Sequence, residues 1–107
     1  MWIVTYGLHW GMIEMVETHE FSRWFDGLKD DRAVARIRRR LYELAVGHAG
    51  DVKPAGAGVS ELRIDYGPGY RVYFLQKGNL LIILLAGGDK KTQEKDIRLA
   101  QTLAQGF

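Results

Sequence analysis

Seven consecutive apolar residues, Leu80–Ala86, constrain this chain more than any other stretch. The run is far short of the ~20 residues needed to span a bilayer. With no polar break on either period, it reads as a strand buried on both faces, at the centre of a sheet. The rest of the sequence supplies what such a strand needs. Val59–Asp65 and Tyr70–Gln76 are strand-like and flank the turn Tyr66–Gly69, which contains Gly-Pro-Gly, and Lys77–Asn79 is a second tight turn. Ile13–Glu17 roughly alternates apolar and polar residues and predicts a short first strand.

Two helices are predicted between that first strand and the meander. Thr18 offers an N-cap for residues 19–28, with Phe21, Trp24, Phe25 and Leu28 at helical spacing and Gly27 marking an early end. Asp31 caps the second, whose apolar stripe is Val34, Ile37, Leu41, Leu44 and Ala45. Arg32, Arg36, Arg38, Arg39, Arg40 and Glu43 lie mostly off the stripe, and Gly47 stands just past the end. His48–Gly58, rich in Gly and Ala with Pro54, reads as a loop. A last helix starts at Asp89 or Thr92, with Ile97, Ala100 and Leu103 or Ala104 toward the core. A strand, two helices, three meandering strands and a helix make an α+β fold.

At 107 residues, 47% of them apolar, the chain supports one domain with a modest core. The absence of cysteine excludes a disulfide framework and thiolate metal sites, and fits a reducing, cytoplasmic setting. A net charge of +2 permits a nucleic-acid partner without demanding one. Neither a membrane-spanning run nor a signal-peptide pattern is present. Residues 1–11 stand apart. They lack Asp, Glu, Lys and Arg, hold Trp2, Tyr6 and Trp10, and are followed at once by Met12. They read either as an extension packed on a domain of residues 12–107, or as residues preceding a start at Met12.

The hairpin around Gly67-Pro68-Gly69 can be registered from its own pattern, because a one-residue slip would swap the faces. With a 67–69 loop, Leu62, Ile64, Val72 and Phe74 share the core face, and Glu61, Arg63, Asp65, Arg71 and Tyr73 share the other. That second face is expected to be wet. Taken alone, it is an ordinary half-exposed sheet with cross-strand ion pairs. Beyond the apolar strand, Gly87-Gly88-Asp89-Lys90-Lys91-Thr92-Gln93 combines a close-approach turn, two lysines and a helix start. Such a segment can hold phosphate, or can be a solvated turn. It lacks the spacing of a P-loop.

Residues 56–74 and 82–97 resemble, in that order, the hallmark stretches of the addiction-module killer proteins, a family also described as phage-derived, within the RelE/ParE toxin superfamily. Phe21–Asp51, with Arg36-Ile37-Arg38, resembles its helical part; the likeness spans about residues 12–104, and His48 stands where the family more often has asparagine. The resemblance implies a small twisted antiparallel sheet, made of the first strand and the meander, against two N-terminal helices, with the C-terminal helix beyond. It implies the toxin of a toxin–antitoxin pair. Its partners would be a helix-turn-helix antitoxin, mRNA and the ribosome, with DNA reached only through the antitoxin. Many such toxins cut mRNA on the ribosome, whereas others poison DNA gyrase.

For an RNA-cutting toxin, Arg71 matches the arginine of the family's Tyr-Arg-Val-Tyr strand, and Lys90 or Lys91 the basic residue after the last strand. Arg63 and Lys53 would contact further phosphates, and Tyr73 would stack or donate a proton. RNA cuts itself when its 2′-OH attacks the adjacent phosphate, and fixed cations stabilise the charge that gathers there. Arginine suits this because its fork matches two phosphate oxygens and stays charged. The general base is open between Glu61, a lysine crowded by other cations, and His48, which reads more simply as an exposed loop residue. No cofactor or metal is expected, because His and acidic residues do not cluster at ligand spacing. Arg36, Arg39 and Arg40 form either a solvated helix face or an RNA-binding patch whose binding weakens with salt. The rival expectations are a non-catalytic inhibitor of a protein such as gyrase and a degenerate toxin that survives only as an antitoxin partner.

Overall fold

The computed structural model describes residues 13–107 in full and the backbone of residues 2–4. Its order is β1 (Trp2–Val4), β2 (Glu14–Glu17), α1 (His19–Asp26), α2 (Asp31–Ala45), β3 (Val52–Pro54), β4 (Ser60–Ile64), β5 (Tyr70–Lys77), β6 (Leu81–Gly88), a 3-10 turn (Lys90–Thr92) and α3 (Gln93–Ala104). The α+β class holds. The strands form one sheet in the order β1-β2-β6-β5-β4-β3.

As expected of its sequence, β6 is central, and Ile82 through Ala86 are buried. Leu80 is not part of it and lies exposed in the preceding turn. Two points correct the sequence reading, and a third adds to it. First, the sheet is mixed, because β2 runs parallel to β6. Strands joined by a tight turn must be antiparallel, but two helices and three strands lie between β2 and its partner β6, and nothing in its four residues fixes direction. Second, part of the expected loop 48–58 forms the edge strand β3, pairing Val52, Lys53 and Pro54 with Leu62, Glu61 and Ser60. Pro54 is tolerated there because an edge strand has N–H positions with no neighbour to serve. Third, residues 2–4, from the segment set apart above, pair antiparallel with β2 as the opposite edge; His9, Tyr6 and Trp10 lie outside the described residues.

The helices form for the predicted local reasons, with small shifts. Thr18 caps α1, its Oγ1 accepting from the Phe21 N–H and donating to the Leu85 carbonyl at 2.6 Å, which ties the cap to β6. Asp30, one residue earlier than expected, caps α2 through the N–H groups of Arg32 and Ala33. Gly47 follows α2 at φ +88°, where a side chain would be strained.

Because strand side chains alternate, the sheet makes two cores. Phe21, Phe25, Ile37, Leu41 and Leu44 of α1 and α2 pack on Leu62, Ile64, Val72, Phe74, Ile82 and Leu84. Ala100 of α3, with Ile97 and Leu103 beside it, packs on Val59, Tyr73, Ile83 and Leu85. A bulge between Tyr73 and Phe74 shifts the β5–β6 register next to this second layer. The two glycines that end β6 face opposite cores. A Cβ on Gly87 would lie 2.1 Å from the Trp24 ring, and one on Gly88 would lie 1.8 Å from the Asp96 carboxylate. Among the described residues, no helix is long and apolar enough to cross a membrane.

Candidate active site

The β4–β5 pairing keeps the predicted faces but widens the loop. Leu62 faces Val72, Ile64 faces Tyr70, Glu61 faces Tyr73 and Arg63 faces Arg71. The expectation of a wet charged face fails, because α3 covers much of it. Tyr73 is fully buried, Glu61 is 4% exposed and Arg71 6%. A polar residue every second position signals a separate face, not an uncovered one.

Placing Arg63 directly opposite Arg71 is unfavourable alone, since like charges in cross-strand pairs repel. Glu61 resolves it. Its Oε2 lies 3.6 Å from Arg63 Nε and 3.6 Å from Arg71 Nη1, while Gln93 Nε2 donates to Oε1 at 3.0 Å. Arg63 also lies 3.9 Å from Asp51. Buried between two cations and outside the cleft lining, Glu61 is a positioning residue rather than a candidate for the base.

Lys90 comes to the same place from the other side of the sheet end. After Gly88, Asp89 caps the 3-10 turn by accepting from Lys91 N at 2.8 Å, in a capping box with Thr92. Thr92 in turn donates to the buried carboxylate of Asp96. The result is a cleft of about 300 Å³ lined by Asp51, Arg63, Asp65, Tyr70, Arg71 and Lys90. A broader cleft of about 700 Å³ shares Asp51, Arg63 and Asp65 with it and continues to Arg36, Arg39 and Arg40 of α2.

Of the residues singled out in the sequence, Arg63, Arg71 and Lys90 therefore meet at one cleft, with Glu61 behind them. Tyr73 does not reach it. Its hydroxyl is buried without a well-formed hydrogen bond, and burial, followed by the charges of Glu61 and Asp96, raises its pKa above the ordinary phenol value. It can neither stack on a base nor readily give a proton. Lys91 points away, into a separate groove with Lys95 and Arg98. Lys53 is exposed opposite Glu61 on the edge strand.

The three α2 arginines divide. Arg39 is 80% exposed beside Glu43, and Arg36 stacks its guanidinium 4.9 Å over the Tyr66 ring. Arg40 is committed to structure, donating to the Arg63 carbonyl at 3.3 Å, the Ala49 carbonyl at 2.7 Å and Glu43 at 3.1 Å. Its hydrogen bond pulls the Glu43 carboxyl below its usual value. His48 is an exposed loop residue and does not line the cleft. Among the described residues, no group of three His, Asp or Glu side chains is arranged to hold a metal ion.

Sequence reasoning missed Asp51, Asp65, Tyr70 and Gln93. Asp65 was visible on the charged face but given no role, and Asp51 was hidden in an apparent loop. Burial, with Asp30 and Asp89 nearby, pushes the Tyr70 phenol up as well.

The family profile described as phage-derived protein Gp49-like matches residues 23–105. An uncharacterized protein of Haemophilus influenzae is 48% identical over 93 residues, covering 87% of this chain and 94% of the relative. The chain belongs to the Gp49-like phage-derived protein family, which is associated with toxin–antitoxin modules.

Proposed function

We propose that this protein is the toxin of a toxin–antitoxin pair, of RelE/ParE type, and that it cuts mRNA on the ribosome without a metal. The observation that carries the reading is the meeting of Arg63, Arg71 and Lys90 at one cleft. A phosphate seated there would lie among fixed cations, which need no reorganisation as negative charge develops. Arg71, held by Glu61, and Arg63 stabilise the phosphorane-like oxygens. A cleft carboxylate, Asp51 or Asp65, takes the 2′-OH proton as that oxygen attacks phosphorus. The Lys90 ammonium gives a proton to the departing 5′-oxygen, leaving a 2′,3′-cyclic phosphate. A helix-turn-helix antitoxin would neutralise the toxin and carry it to DNA.

One observation favours a rival reading, a non-catalytic inhibitor of a protein such as DNA gyrase. Glu61 neutralises part of the charge on both arginines, and a rigid ion cluster also suits a binding surface.

The test is induction in a bacterial host with 5′-end mapping of transcripts. New ends inside translated codons are expected. Arg71→Ala would strip the buried Glu61 of a partner, so Arg71→Lys and the exposed Lys90→Ala are the cleaner variants. Losing one preorganised donor, the Lys90 ammonium or the second arm of the Arg71 fork, should slow cleavage by about 10²–10³. Folded variants that arrest growth undiminished would refute the site. Arrest with intact mRNA would move the protein-target reading first, and no arrest would indicate a degenerate toxin.

A further inference from the structure

On the other side of Lys90 from the cleft lies a groove that the proposed mechanism does not use. It has a volume of about 460 Å³ and lies along the start of α3, lined by Lys90, Lys91, Lys95 and Arg98 together with Glu94. Lys90 lines both depressions, so the two adjoin. Lys91, Lys95 and Arg98 are exposed and line the same groove, with Lys95 and Arg98 about one turn apart on α3. None of these four cations forms an ion pair among the described residues, although Glu94 stands four residues from both Lys90 and Arg98. The arrangement works against stability. Cations sharing one groove repel, and Lys95 in the first turn of α3 opposes the helix dipole. A face kept for solubility would balance its charges. This one keeps positive charge in surplus, beside a cleft whose own arginines are already partly neutralised.

We propose that this stripe is a phosphate track for single-stranded RNA running out of the cleft. The proposal rests on the RNA reading above. Lys95 and Arg98, three residues apart on α3, are offset by about 5 Å along the helix axis, which lets them meet neighbouring phosphates of one strand. The track contacts backbone and reads no base.

The test measures binding of the full chain to 2′-O-methylated, uncleavable RNA across a salt series. One oligomer of about four nucleotides fills only the cleft, and one of about twelve also reaches the track. Lys95→Gln/Arg98→Gln, neither residue lying in the cleft, should leave the short oligomer's affinity unchanged. On the long oligomer it should lower the slope of log K against log salt by about 1.4, at ~0.7 per phosphate contact. An unchanged slope in a variant that melts like the wild type overturns the track while the cleft reading stands. If the wild-type chain binds neither oligomer, the track is overturned, while the cleavage reading stands or falls on the 5′-end mapping.

Discussion

Glu61→Gln is the most informative change to the fold around the cleft, because it removes one charge and almost no volume. The carboxylate is 5% exposed and lies 3.6 Å from each of two guanidiniums. At the effective dielectric of about 20 that suits protein sites, a pair at that distance attracts by about 5 kcal/mol before desolvation is counted. The two pairs are not equal. Arg63 is 31% exposed and water screens it, so its share is about 1 kcal/mol or less. Arg71 is 7% exposed and loses its principal partner. Breaking such a buried pair typically costs ~3–5 kcal/mol. The glutamine still offers an oxygen to Arg71, which sets the expectation at the lower end, about 3 kcal/mol. With a urea slope of about 1.5 kcal/mol/M for a small domain, the midpoint should fall by about 2 M. Arg71→Met in the same background removes the stranded charge, so the double variant should be more stable than Glu61→Gln alone. A single variant within about 1 kcal/mol of wild type would refute the reasoning, because the carboxylate would then have to be solvated.

Two further predictions concern the layer behind the cleft. Tyr73→Phe removes a buried hydroxyl that lacks a well-formed bond, so stability at neutral pH should be unchanged or higher by up to ~1–2 kcal/mol. The folded pKa of Tyr73 is raised above the unfolded value of about 10, so the wild type keeps its full stability below about pH 10 and loses it as pH rises toward the folded value. Melting curves taken through that range should favour the Phe variant increasingly, and a variant less stable by more than 1 kcal/mol at neutral pH would show that the hydroxyl has a partner. Gly88→Ala should cost about 1–3 kcal/mol through overpacking, since its Cβ would meet Asp96 at 1.8 Å and Thr92 at 2.8 Å. Chemical denaturation that finds Gly88→Ala as stable as wild type would mean that Asp96 can move aside without loss.

Much of the fold was legible because it is set by local patterns. The apolar run announced β6, the stripes announced α1 and α2, and the face assignment of β4 and β5 survived even though the loop proved longer. The β2 direction was not legible, because no turn links it to β6. β3 was hidden for a related reason: three residues held by pairing to Leu62, Glu61 and Ser60 have little pattern of their own. At the site, Arg63, Arg71 and Lys90 could be nominated from residue type and resemblance. Their partners could not. Glu61, Tyr73 and Arg40 look alike on paper, as polar residues on outward positions, yet all three turn inward: one clamps two arginines, one lies under α3, and one pins the Ala49 carbonyl.

For Glu61 and Tyr73 the common cause is α3. The segment that covers the charged face also supplies Gln93 to hold Glu61 and follows directly from Lys90, while Asp96, buried against Gly88, fixes how the helix starts. Sequence pattern describes each strand face, but it does not say what lies over it. Here the cover and the site are one packing event. Ile97 and Ala100 bury the end of the sheet, and the same docking draws Lys90 and Gln93 up to the paired arginines. The cleft is therefore a tertiary property. Among the described residues Arg71 pairs with Glu61, and Glu61 is held from two directions, by the arginines of β4 and β5 and by the first turn of the helix that closes over it.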